Sequence, residues 1–160
     1  MALVAGGWAP ASVTGAAQEP AWVGPALVVV ASDPAAVGFI PRVRWRLAQE
    51  IGLTAGAGLV RRSGGALAGR GELTAQLRFG SWFGPKPAWY VSAGVAGVTG
   101  SSGGAFLMAG AGVELPAGPA GSWWSEVGVA GGFRLAVGYQ FRYSALGTRR
   151  SSAECRVPSP

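Results

Sequence analysis

The stretch Gly71-Glu72-Leu73-Thr74-Ala75-Gln76-Leu77-Arg78-Phe79-Gly80 decides the fold. Leu73, Ala75, Leu77 and Phe79 occupy alternate positions, and Glu72, Thr74, Gln76 and Arg78 fill the places between them. Successive side chains of a strand point to opposite faces, so this segment has one apolar face and one polar face. The same period of two continues outward along the chain. Residues 39–47 set Phe39, Val43, Trp45 and Leu47 against Arg42, Arg44 and Arg46. Residues 133–143 set Phe133, Leu135, Val137, Tyr139, Phe141 and Tyr143 against Arg134, Gln140 and Arg142. Residues 51–60, 106–115 and 123–130 alternate with weaker contrast, because glycine fills much of their less apolar face.

Residues 87–113 form the longest run without charge, and by length alone the run qualifies as a transmembrane helix. Its middle, Thr99-Gly100-Ser101-Ser102-Gly103-Gly104, has the composition of a loop, and Trp89, Val91, Ala93 and Val95 alternate before it. The run therefore reads as two strands and a connection. Turn signals at Ser63-Gly64-Gly65, Gly84-Pro85-Lys86-Pro87, Pro116-Ala117-Gly118-Pro119 and Gly131-Gly132 separate the segments. Seven strands follow from this count. Residues 22–30, apolar with little alternation and carrying Pro25, supply an eighth.

Composition decides which face meets what. Of 160 residues, 49% are hydrophobic and only 12% are charged, whereas soluble domains carry about 25%. The polar face between residues 39 and 143 carries nine charges: Arg42, Arg44, Arg46, Glu72, Arg78, Glu114, Glu126, Arg134 and Arg142. That is a poor shell for a soluble barrel, whose surface is typically about 25–35% charged. It suits a narrow lumen in which the nine form a shared ion-pair network, with glycines leaving room for long arginines. Trp45, Trp89, Trp123 and Tyr139 then stand near strand ends as aromatics at a lipid interface. The expected fold is an all-β, antiparallel up-and-down transmembrane β-barrel of eight strands, with a polar lumen and an apolar lipid-facing exterior.

The ends read differently. Residues 1–19 resemble the rear half of a secretory signal without its basic opening, or else a disordered Ala/Gly/Pro leader. The barrel is expected over 20–143. Residues 144–160, rich in Ser, Pro and Arg and containing Cys155, read as a disordered tail.

The segments GRGELTAQLRFG (69–80), AWYVSAGVAGVTG (88–100), GGAFLMAGAGVELP (103–116) and FRLAVGYQFRY (133–143) are similar to the small bacterial outer-membrane β-barrel family of the eight-stranded type. In that family the last strand carries an assembly signal, a glycine followed three and five residues later by hydrophobic or aromatic side chains. Gly138, Phe141 and Tyr143 match that spacing. Two departures stand beside the match: Ala136 replaces the usual polar residue two before the glycine, and the chain continues for seventeen residues after Tyr143. The resemblance implies a bacterial outer-membrane location, outer-membrane lipid and the barrel assembly machinery as partners, and both termini on the periplasmic side. Connections near 31–37, 62–69, 99–105 and 131–132 would face outward, and those near 48–50, 81–87 and 116–122 inward.

The absence of histidine excludes a Ser-His-Asp triad, a Cys-His dyad and histidine metal sites, and a single cysteine excludes an internal disulfide. No cofactor, catalytic residue or metal site is expected. Glu72, Glu114 and Glu126 are candidates for acid and base chemistry, but partnership with lumenal arginine is the more ordinary role of such carboxylates. Arg42-Val43-Arg44-Trp45-Arg46 and the excess of arginine are of a kind that can pair phosphates and stack bases. Strand alternation explains the same five residues, and no nucleic acid is expected. The function expected is a non-enzymatic structural or interaction role without an open pore. The alternatives are a barrel with enzymatic or narrow-channel activity and a soluble, lipocalin-like binding barrel.

Overall fold

The computed structural model describes residues 21–80, 86–100 and 103–143. The leader, the tail with Cys155 and most of the connection at 81–87 lie outside the described residues. Ten strand segments make eight staves. Segments β1 (Trp22–Gly24) and β2 (Ala26–Ala31) form the first stave, interrupted at Pro25, and β3 (Ala36–Phe39) and β4 (Arg42–Arg46) form the second, interrupted at Ile40-Pro41. Then follow β5 (Ile51–Arg62), β6 (Leu67–Phe79), β7 (Ala88–Val98), β8 (Gly104–Pro116), β9 (Gly121–Ala130) and β10 (Phe133–Arg142).

Every pairing is antiparallel between neighbours, and the last stave returns to the first. Leu135 lies opposite Val29, Val137 opposite Leu27, and Trp22 opposite Arg142. The sheet is a closed, eight-stranded, all-β barrel, which removes the unpaired edges a bilayer cannot solvate. Proline lacks an amide donor, and both interruptions fall at proline. Neither opens the wall: Tyr139 N donates to Pro25 O at 3.2 Å, Ile40 N to Ala26 O at 2.8 Å and Ala57 N to Pro41 O at 3.3 Å. At Gly131-Gly132 the hairpin between β9 and β10 takes only two residues, with Gly131 at φ +74°, a conformation open to glycine.

Alternation sorts the side chains as the sequence requires. Leu73, Leu77 and Phe79 are exposed on the outside, while Glu72, Thr74, Gln76 and Arg78 are buried within. Outward Leu27, Leu59, Leu67, Leu107, Val129 and Leu135 continue the apolar surface round the barrel. An exposed apolar band on every stave is far more than a water-facing monomer carries, and it matches a lipid-facing wall.

The strands run three or more residues beyond the expected bounds in two places, and by one or two residues at several other ends. β6 begins at Leu67 rather than at Gly71, since Gly69 and Gly71 remove the apolar contrast without ending the strand; the outer connection is correspondingly shorter than 62–69. The second stave begins at Ala36 rather than at Phe39. The lumen is also not polar throughout. Ala26, Val28, Val30, Ile40, Trp124 and Ala136 pack together inside it. This explains why the first stave scarcely alternates: its inward face meets an apolar cluster, so both of its faces are apolar.

Candidate functional site in the lumen

The lumen is crossed by ion pairs centred on two carboxylates. Glu72 projects inward from β6, where strand parity places it between Arg70 and Thr74. Arg70 Nε donates to its Oε1 at 2.9 Å, and Arg134 of β10 donates from Nη2 to Oε2 at 3.0 Å and from Nε to Oε1 at 3.2 Å. Arg42 of β4 also donates to Glu72, and Arg134 Nη1 reaches Glu126 of β9. Nearer the end that holds the barrel's termini, Glu114 of β8 accepts from Arg44 Nη1 at 2.7 Å and from Arg78 Nη1 at 2.5 Å. Its other oxygen accepts from Ser122 Oγ at 2.7 Å, and Ser122 Oγ in turn accepts from Gln140 Nε2 at 2.8 Å.

Seven of the nine residues expected in the charge network are therefore brought together: Arg42, Arg44, Glu72, Arg78, Glu114, Glu126 and Arg134. Arg46 and Arg142 are half-buried at the ends of their strands. Arg46 Nε donates to Ala48 O at 3.2 Å, and the Arg142 guanidinium lies over the Trp22 ring, 5.9 Å from its centre. Arg70 is missing from the expected set because a strand read from Gly71 begins one residue after it. Parity with Glu72 is the signal that finds it.

Three large aromatics, Trp22, Tyr90 and Trp124, also stand in the lumen among the described residues, outside the charge network the sequence predicts. Tyr90 and Trp124 are buried, and Arg44 and Arg42 lie over their rings at 5.4 Å and 4.6 Å from the centres. Their neighbours Trp89 and Trp123, one residue earlier, face outward. Glycines make the room: a Cβ at Gly138 would stand 2.7 Å from Trp124 Cζ2, and one at Gly56 would stand 2.9 Å from Arg42 Cγ. Lumenal glycine thus accommodates aromatic rings as well as arginines.

Every carboxylate in this network already accepts from guanidinium or hydroxyl donors while shut away from bulk water. Buried charges of this kind hold geometry well but leave little freedom for proton transfer to a substrate. The chemistry the arrangement performs is mutual neutralisation across the barrel. A cavity of about 10 Å³ between Trp22, Arg42, Arg44, Thr54, Trp124 and Gln140 is the size of one water.

Outside, Trp45, Trp89 and Trp123 are exposed and Tyr139 is half-buried. The register places them at the end that carries the termini: Trp89 opposes Phe79, Trp123 opposes Tyr139 and Trp45 opposes Leu53. Tyr139 packs edge-on against Trp123 at 5.0 Å and against Phe141 at 4.6 Å. Gly138 is buried, whereas Phe141 and Tyr143 face outward beyond it.

No family model and no curated protein matches the sequence. Solved structures do. A de novo designed transmembrane β-barrel aligns with a TM-score of 0.59 at 17% identity, covering 78% of this chain and 96% of the design. The N-terminal β-barrel domain of Pseudomonas aeruginosa OprF aligns with a TM-score of 0.55 at 20% identity, covering 75% of this chain and 96% of that domain. Ail, the attachment invasion locus protein of Yersinia pestis, solved with the heparin analogue sucrose octasulfate, aligns with a TM-score of 0.50 at 14% identity, covering 78% and 97%. At these identities the likeness is one of fold. That fold, together with the apolar exterior and the charged lumen, is the eight-stranded transmembrane β-barrel, the architecture of the small outer-membrane barrels it resembles.

Proposed function

We propose that the chain is a non-enzymatic barrel of the bacterial outer membrane, with a structural or interaction role and no open pore. The observation that carries this reading is Arg134, 1% exposed and bonded at once to Glu72 on the opposite wall and to Glu126 on its own side. Through the middle of the barrel the lumen is filled by its own side chains, and here they are tied to one another across it. The carboxylates that a catalytic role would require are the same ones that hold the arginines.

The outer-membrane location is supported by the apolar exterior and by the natural barrels the fold resembles. In this reading outer-membrane lipid is the partner of the outer wall, and Trp45, Trp89, Trp123 and Tyr139 anchor one interface. Gly138, Phe141 and Tyr143 serve as the signal read by the barrel assembly machinery, and the end that carries the termini faces the periplasm. Short connections at the opposite end favour a scaffold over a receptor with large binding loops. The experiment is planar-bilayer recording on purified protein. No steady conductance is expected; sustained currents at the nanosiemens level would overturn the closed-lumen reading.

A further inference from the structure

The loop end of the barrel holds a second cavity, of about 180 Å³, that the ion-pair network does not use. Val30, Val60, Val98, Phe106 and Ala130 give it an apolar wall, and Arg62 and Arg70 add two positive charges. The acidic residue of the lining is Asp33, exposed at the rim, so the lining is positive by one. Arg70 is 4% exposed. Its Nε is held by Glu72, but its Nη2, closed off from bulk water, finds no protein acceptor.

Beneath the cavity, positive charge outnumbers negative. Arg42, Arg70 and Arg134 share Glu72 and Glu126, three guanidiniums to two carboxylates. Arg134 bonds to both carboxylates, and Arg42 adds the Trp124 ring to its bond with Glu72. Three guanidiniums on two carboxylates leave the cluster with one positive charge in excess, and Arg70 is its member that lines the cavity. Excess positive charge at the wall of a largely enclosed cavity is costly, and an anion held in the cavity would offset it.

We propose that this cavity binds a small apolar carboxylate of about the size of benzoate, its carboxylate on Arg70 and its body among Val30, Val60, Val98 and Phe106. The size follows from the volume, since a dry apolar cavity of about 150 Å³ accepts benzene. The charge follows from Arg70, and the apolar body from Val30, Val60, Val98 and Phe106. Few convergent polar groups in an apolar pocket is the usual construction of a small-molecule site.

The test is titration of sodium benzoate into the protein folded in an uncharged maltoside detergent, followed by calorimetry or by amide shifts. Saturable one-to-one binding is expected, with acetate and benzyl alcohol each weaker by about tenfold or more, because each lacks one half of the recognition. Arg70→Gln should weaken benzoate by about tenfold or more and leave benzyl alcohol unchanged. Val98→Phe, which fills the cavity and touches no ion pair, should abolish binding of both while the barrel stays folded, and it decides the matter if Arg70→Gln fails to fold. Absence of saturable benzoate binding overturns the proposal. So does benzoate binding no tighter than benzyl alcohol, or benzoate binding that survives Val98→Phe.

Discussion

Glu72 and Arg134 stand 62 residues apart in sequence and on opposite walls of the barrel, and two hydrogen bonds of 3.0 Å and 3.2 Å join them across the lumen. The fourth stave is thereby tied to the eighth, and Arg134 carries the tie onward to Glu126. Arg44 on the second stave and Glu114 on the sixth repeat the relationship. The interior is braced across its width by charge where a soluble domain would use an apolar core.

Removing the centre of the brace should be expensive. Glu72→Gln leaves Arg42, Arg70 and Arg134 without their common counter-charge, and breaking a buried pair costs about 3–5 kcal/mol. Glu126→Gln, which removes the counter-charge of Arg134 while leaving Glu72 in place, should cost less. Urea unfolding of the two variants in detergent or lipid checks the order. Equal midpoints for both variants and the parent would mean that the brace contributes nothing.

The outer wall makes the opposite demand. Val137, exposed near the middle of β10, should not tolerate charge: Val137→Arg is expected to cost about 2–4 kcal/mol in a bilayer, against about 0–1 for Trp89→Arg near a strand end. Unfolding from lipid vesicles measures both. A soluble barrel would accept the two arginines equally.

Gly138 and Phe141 belong to one spacing pattern but should fail in different assays. Gly138→Ala places a Cβ 2.7 Å from Trp124 Cζ2, so folding in detergent, with no assembly machinery present, should already suffer, by about 1–3 kcal/mol. Phe141→Ala removes an exposed ring and should leave that folding near normal while reducing insertion in cells. If both variants behave alike in detergent, the separation of packing from recognition is wrong.

The parts of the fold legible in sequence are those where strand parity and chemistry coincide. In residues 71–79 and 133–143 each apolar side chain larger than alanine faces lipid and each charged or amide side chain faces the lumen, so alternation identifies strand and face together. The first stave hides its register because Ala26, Val28 and Val30 meet an apolar cluster inside while Leu27 and Val29 meet lipid. Arg70 escapes because Gly69 and Gly71 flank it and erase the contrast on which parity depends. The aromatic doublets are harder for another reason. Trp89-Tyr90 and Trp123-Trp124 each send one ring out and one in, and the glycines beside Tyr90 and Trp124 provide space for the inward ring. Those glycines are distant in sequence, and their pairing with the rings emerges only once the register is known.

Electrophoresis of the membrane fraction in SDS, with and without prior heating, tests the lipid-facing barrel most directly. A closed barrel braced across its lumen should resist SDS at room temperature, so the unheated protein should remain folded in the membrane fraction and migrate apart from the heated protein. Identical migration before and after heating, with the protein recovered in the soluble fraction, would contradict a transmembrane barrel.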